Sequence, residues 1–212
     1  MFMDKFMDKD IFQYIHEFID LDNQYLETIE YKGNILKNAD MSIGQEVGKL
    51  LAMLIYMKQA KSVLELGTCM GYSSVWLCSA LAVTGGVLTS IEYDQQFVEL
   101  TKRHVEKAGL SSYQNIICGN AKNEVEQLAG PYDIVFQDSD KSLYVPMLED
   151  CIRLVAVGGI IVADDTLFKA MKVPGVYSEQ LDKYNELVKQ DPRLKSIILP
   201  IGSGVTISIR VV

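Results

Sequence analysis

Ser62-Val63-Leu64-Glu65-Leu66-Gly67-Thr68-Cys69-Met70-Gly71-Tyr72-Ser73-Ser74 is the stretch on which the fold turns. A short apolar run that ends at a glycine fits a buried parallel strand. A helix from about Tyr72 to Leu81 follows it. Upstream, Val47, Leu50, Leu51, Leu54 and Ile55 repeat at helical spacing, as do Ile11, Phe12, Ile15, Phe18 and Ile19 within Asp10 to Glu30. Downstream the alternation continues. Gly86 to Ile91 reads as a strand ending in Glu92, and the helix marked by Phe97 to Ala108 stops at Gly109. Asn115 to Cys118 is a strand, followed by a helix near Lys122 to Leu128. Tyr132 to Gln137 is a strand ending in Asp138, with a helix predicted from about Tyr144 to Leu154. Gly159 to Ala163 is a strand ending in Asp164-Asp165. A loop to Tyr177 and a helix around Ser178 to Lys189 come next. Two β-rich runs, Ser196 to Pro200 and Val205 to Ile209, flank the hairpin signal Gly202-Ser203-Gly204.

Strand-helix alternation implies an α/β domain with a mainly parallel sheet and right-handed crossovers. Ligands of such sheets bind at the carboxyl ends of strands. Glu65, Gly67, Glu92, Asn120, Asp138, Asp164 and Asp165 stand at those ends, so one row of acidic residues and glycine faces one cleft.

The 212 residues suit a single domain, 1–212, with room for a large core. A hydrophobic share of 49% and a charged share of 23% argue against disorder. The net charge of −8 gives no electrostatic footprint for a long nucleic-acid track. The four cysteines, Cys69, Cys78, Cys118 and Cys151, form no C-x-x-C pair, and there are only two histidines, His16 and His104. Zinc ligation by cysteine and histidine is therefore not expected; the cysteines read as reduced residues of a cytoplasmic protein. Met1 to Lys9 is too acidic for a signal peptide, and no run approaches the roughly 18 apolar residues of a membrane span.

Gly67 and Gly71 flank the first strand-to-helix turn, where glycine lets backbone approach a ligand. That spacing alone serves equally well for a tight turn without a ligand. Glu92, at the end of the next strand, can accept hydrogen bonds from both ribose hydroxyls of a nucleoside. NAD and S-adenosylmethionine (SAM) both fit these features. Cys69 replaces the middle glycine of the dinucleotide fingerprint. SAM has no pyrophosphate needing that glycine, and Ser73 is placed to meet its amino-acid tail, so the pattern favours SAM. Asp138, Asp164 and Asp165 bring three carboxylates to one point, and such a trio repels unless a cation neutralises it. Oxygen-only ligation suits Mg²⁺, Mn²⁺ or Ca²⁺. Lys141, one turn after Asp138, is a surface charge or, with its pKa lowered beside a metal, a general base.

Four segments in order, Glu65 to Ser74, Phe136 to Tyr144, Ala163 to Phe168 and Leu199 to Ile207, resemble the cation-dependent O-methyltransferases, which include caffeoyl-CoA and catechol O-methyltransferases and small bacterial relatives. The resemblance runs from about Ala39 to the C-terminus. It implies a Rossmann-like SAM methyltransferase fold: a mostly parallel seven-stranded sheet with a C-terminal antiparallel hairpin strand and helices on both faces. Residues 1–38 would form an N-terminal helical lid or dimer segment, and the family is typically homodimeric. By the same resemblance Met41 and Ile43 close over the methionyl end of SAM. Glu65, Gly67, Thr68, Gly71, Tyr72 and Ser73 hold that end, Glu92 and Tyr93 meet the ribose region, and Asn120 and Ala121 line the adenine. Asp138, Asp140 and Tyr144 lie near the cofactor. Asp138, Asp164 and Asp165 are implied metal ligands, Lys141 the base that deprotonates the acceptor hydroxyl, with Asp138 beside it, and Leu167 and Phe168 substrate contacts. Two positions depart from the pattern. Asp165 stands where asparagine is usual, adding a negative charge, and Asn120 stands where aspartate is usual.

The implied reaction is transfer of a methyl group to a hydroxyl of a metal-chelated small molecule with neighbouring oxygens, such as a catechol. A tRNA 5-hydroxyuridine offers similar vicinal oxygens and is the alternative acceptor. A SAM-binding module without turnover and an NAD-dependent oxidoreductase are rivals of other classes. No membrane partner is expected.

Overall fold

The computed structural model describes residues 9–29 and 42–212. Helix α1 spans Lys9–Phe18 and α2 Gln45–Lys58. Strand β1 is Ser62–Leu66, followed by α3, Tyr72–Thr84. Then come β2 Val87–Glu92, α4 Gln95–Lys107, β3 Gln114–Cys118 and α5 Ala121–Gln127. They are followed by β4 Tyr132–Gln137, α6 Leu148–Leu154, β5 Val155–Ala163 and α7 Val176–Gln190. Strands β6 Leu194–Leu199 and β7 Val205–Arg210 end the chain. The seven strands form one sheet in the order β3-β2-β1-β4-β5-β7-β6. β1 to β5 pair in parallel, and β7 runs antiparallel to both β5 and β6. Among the described residues no helix is long and apolar enough to cross a membrane.

Strand parity sorts the core into two layers, because successive side chains point to opposite faces. Val63, Ile134, Phe136, Ile160 and Val162 pack with α2 and α3 on one face. Leu64, Leu66, Val135, Ile161 and Ala163 pack with α5, α6 and α7 on the other. Helix α3 is buried on nearly every side, between α2 and the sheet. This explains its apolar residues all round rather than along one stripe.

Register fixes what stands at the strand ends. Leu66 of β1 lies opposite Ile91 of β2 and Gln137 of β4, and Gln137 lies opposite Ala163 of β5. The ladder continues one residue further, with Gly67 N–H donating to Ile91 O at 2.9 Å, Asp138 N–H to Leu66 O at 3.0 Å and Asp164 N–H to Gln137 O at 3.2 Å. Glu92, Gly67, Asp138 and Asp164 therefore stand side by side in four adjacent strands.

Three element boundaries differ from the sequence reading by four residues or more. The first helix stops at Phe18, and helix resumes only over residues 25–29, instead of running unbroken toward Glu30. Asn23 turns the chain there: its Oδ1 accepts from Tyr25 N–H at 2.9 Å and its Nδ2 donates to Ala108 O at 3.1 Å. The helix predicted from Tyr144 begins only at Leu148, after a short 3₁₀ turn at Lys141–Leu143. Pro146 lies in the gap and has no N–H to continue a helical ladder. Strand β5 starts at Val155, four residues before Gly159.

Candidate active site

The row of strand ends floors a cleft of about 1020 Å³. Gly67 opens the loop after β1 with φ +92°, and a Cβ there would sit 2.6 Å from the Asp138 carbonyl oxygen. Only glycine permits this approach, so the β1 loop and the end of β4 are packed backbone against backbone. Cys69 also has positive φ, +45°. Glu92 holds the loop in this shape. Its Oε2 accepts from Thr68 N–H at 2.9 Å and Cys69 N–H at 3.0 Å, while Oε1 accepts from Asp94 N–H at 3.0 Å. Thr68 Oγ also donates to Oε2 at 3.3 Å, so what acceptor capacity Glu92 keeps toward the cleft it lines is on Oε1, which has one donor.

Glu65 is placed elsewhere than expected. It shares a parity with Val63, so its side chain points toward α3, where it is fully buried. It accepts from Ser73 Oγ and Ser74 Oγ, each at 2.6 Å, and from Ser90 Oγ at 2.7 Å. Glu65 thus anchors the N-terminal turn of α3 to β1 and β2, behind the cleft wall. Burial pushes its carboxyl up to about 7, against the lowering effect of the three serine hydroxyls. Below about pH 4.5 the group is protonated whether the chain is folded or not, and it costs nothing. As pH rises to about 7 the unfolded chain releases the proton first, and the native state loses about 3 kcal/mol, a loss that persists above that pH. Glu65→Gln should remove this penalty. In thermal unfolding without divalent ions, the variant's Tm should match wild type near pH 4 and exceed it at pH 8; a constant difference across that range would contradict the assignment.

Tyr144 is also behind the wall. Fully buried, it donates toward Gln137 O at 2.9 Å and Asp164 O at 3.1 Å, bridging the ends of β4 and β5. Gly71 lies under Thr101 and Leu167 over Gly204, and neither lines the cleft. Ile43, Thr68, Tyr72, Ser73, Tyr93 and Ala121 do line it, as do Asp140, Lys141 and Phe168. Asn120 lines it too, with its Oδ1 already accepting from Lys122 N–H at 3.0 Å as the cap of α5. Met41 lies outside the described residues, as do residues 1–8 and 30–38 of the expected N-terminal lid. Tyr14 and His16 are exposed on α1, and Tyr25 packs edge-on against His104.

Asp138, Asp164 and Asp165 converge as expected, with one carboxylate oxygen from each within 4.8 Å of the others. Asp164 is buried, and its Oδ1 has no hydrogen-bond partner. Burial, then the charges of Asp138 and Asp165, push the Asp164 carboxyl well above its usual range. Burial also raises Asp138, against the lowering effect of Lys141. Lys141 sits between two of the carboxylates, its Nζ 2.7 Å from Asp138 Oδ1 and 2.8 Å from Asp165 Oδ2, with Tyr144 Oη at 3.2 Å. Burial disfavours its charge, but Asp138, Tyr144 and Asp165 outweigh burial and hold its pKa well above the lysine range. The fall in lysine pKa expected beside a metal concerns the cation-bound site; with the aspartates alone for neighbours the shift is upward. Three carboxyl groups meet one ammonium, one of their oxygens is unpaired, and the all-oxygen donor set fits a hard divalent cation.

Phe97, Ser139 and Ser203 are among the lining residues that sequence reasoning missed. Tyr177 had a signal, since it closes the loop after β5; its hydroxyl donates to Asp140 Oδ2 at 3.2 Å across the cleft mouth. Phe97 reads in sequence only as one apolar position of an amphipathic helix.

Known proteins resemble this chain in sequence and in fold. A model of the O-methyltransferase family matches residues 16–211. Tapetum-specific methyltransferase 1 of Arabidopsis thaliana is 34% identical over 198 residues, 87% of this chain and 83% of that protein. The catechol O-methyltransferase of Niastella koreensis is 35% identical over 169 residues, 76% of each protein. Among solved structures, the O-methyltransferase from Bacillus cereus in complex with SAH has a TM-score of 0.83 at 22% identity, covering 93% of this chain and 96% of that one. It shares the fold.

Proposed function

The chain belongs to the O-methyltransferase family, and from that premise we propose that it moves a methyl group from SAM to one hydroxyl of a small acceptor with two neighbouring oxygens, a catechol-like diol, in a reaction that requires a divalent cation. The observation that carries this reading is the convergence of Asp138, Asp164 and Asp165 beside the glycine loop. Those three residues would hold the cation, Mg²⁺ first and Mn²⁺ or Ca²⁺ by the same oxygen chemistry. When bound, a dication there supplies a Lewis acid that makes ionisation of a phenol, with its pKa of about 10, accessible at neutral pH.

This chain's own residues do the rest. Gly67, Thr68 and Ser73 would receive the methionyl part of SAM, Glu92 and Tyr93 the ribose region, and Asn120 and Ala121 the adenine. Lys141 reaches the cleft beside Asp138 and would take the acceptor's proton at Nζ. To act as a base it must first leave its two carboxylate partners, since they favour its charged form. Phe168 and Tyr177 line the side of the cleft next to the aspartates and would flank the acceptor ring. Pairing of two copies belongs to the same proposal; Ile197 and Ile198, exposed on the edge strand β6, and Ile209, exposed on the neighbouring β7, are apolar surface it would cover.

Labelled SAM tests the reading, incubated with a panel of catechols in one arm and hydroxylated tRNA in the other. Label should pass to a catechol, stop with EDTA and return with added Mg²⁺. Full turnover in EDTA would sink the cation requirement, and transfer to tRNA alone would move the acceptor to a nucleic-acid base.

A further inference from the structure

Helix α7 reaches under the cation site at one residue. Asp164 and Asp165 follow β5, and Asp165 has φ +61°, a left-handed conformation uncommon outside glycine that aspartate adopts more readily than most side chains. Three sets of contacts fix this turn. Thr166 N–H and Oγ–H donate to Gly204 O at 2.9 and 3.1 Å, and Leu167 N–H donates to Ser203 O at 3.0 Å. Tyr144 Oη donates toward Asp164 O at 3.1 Å. From α7, Asn185 Nδ2 donates to Thr166 O at 2.7 Å, while Asn185 Oδ1 accepts from Thr206 Oγ at 2.8 Å. Thr206 Oγ also lies 2.9 Å from Thr166 Oγ. Thr166 and Thr206 are almost fully buried, at 2% and 1% exposure, so these bonds are shielded from competing water.

We propose that Asn185 is a positioning residue for the divalent cation: by gripping the Thr166 carbonyl and Thr206 hydroxyl, it holds the Asp164-Asp165 turn in its left-handed shape and aims both carboxylates at one point. Asn185 does not itself line the cleft, so it acts through that turn. An amide is suited to the task, since one end donates to a carbonyl while the other accepts from a hydroxyl. Neither aspartate nor alanine at this position can do both. The inference rests on the reading of Asp138, Asp164 and Asp165 as cation ligands.

Calorimetric titration of the whole protein with Mn²⁺ tests it, with Asn185→Ala and Asn185→Asp as variants. Asn185→Asp keeps the shape and an acceptor but puts a second acceptor oxygen, charged when ionised, in place of the donor, so it serves if the alanine variant does not fold. Both variants should bind Mn²⁺ at least about tenfold more weakly, the loss typical of outer-shell partners of a metal site. SAM affinity in EDTA should stay within twofold of wild type, because Glu92 and the glycine loop are untouched. Mn²⁺ affinity within twofold of wild type in Asn185→Asp would overturn the proposal. So would parallel loss of Mn²⁺ and SAM binding, which would mark a general loosening. Wild-type protein that binds no Mn²⁺ is a separate failure: it would remove the cation site itself, and the proposal with it.

Discussion

Asp164→Ala should reduce methyl transfer by on the order of a thousandfold while raising the melting temperature of the metal-free protein. Both effects follow from one carboxylate. In the proposed reaction a bound dication contributes several kcal/mol to the chemical step, and each 1.4 kcal/mol is tenfold in rate. Asp164 is the most deeply buried of the three aspartates and has an oxygen without a partner, so its removal takes away both a ligand and an uncompensated buried group. Losing that group should stabilise the metal-free fold by about 1 kcal/mol, or about 2–4 °C in Tm for a domain of this size. Initial rates with labelled SAM and Mg²⁺, together with thermal unfolding in EDTA, read the two effects. A variant that loses activity and also melts lower in EDTA would point to a structural role; one that keeps metal-dependent turnover would remove Asp164 from the ligand set.

Gly67→Ala is expected to be as damaging by a different route. An added Cβ would meet the Asp138 carbonyl oxygen at 2.6 Å and the Asp138 carbonyl carbon and Ser139 Cα at 3.0 Å, all backbone atoms that no side-chain rotation can clear. The φ of +92° adds strain independent of space. Together these should cost about 2–4 kcal/mol of stability. Relief requires the β1 loop and the end of β4 to separate, which displaces the SAM loop and the first aspartate together. SAM affinity measured by titration should therefore fall by at least about tenfold, and the midpoint of denaturant unfolding should fall with it. Wild-type SAM affinity in this variant would show that the close approach does not shape the site.

The sequence makes the strand ends readable because its two strongest signals coincide there. Apolar runs end where the sheet ends, and the residues that break them, Gly67, Glu92, Asp138 and Asp164, lie in register across four neighbouring strands. What was not readable depends on side-chain direction. Glu65 belongs to the same motif as Gly67, yet strand parity turns it toward α3 and the serines of its first turn. Tyr144 follows Lys141 by three residues, and the interruption of the helix at Pro146 places its ring beneath the aspartates instead of beside the cofactor. Asn185 carries no motif. Its role arises only where α7 crosses the turn after β5, a long-range contact that no local pattern encodes. Lys141 was legible as a site residue beside Asp138, but its second partner was not, because pairing with Asp165 depends on the left-handed turn that brings that carboxylate round.

The central claim is that Asp138, Asp164 and Asp165 together hold a divalent cation beside the SAM loop. Crystals grown with SAM and Mn²⁺, with anomalous diffraction collected at the manganese edge, test it most directly. The account predicts one anomalous peak bonded to oxygens of all three aspartates, with Lys141 moved off Asp138 and Asp165. An anomalous map empty at that point, with Lys141 still bridging the two carboxylates while SAM occupies the loop, would contradict it.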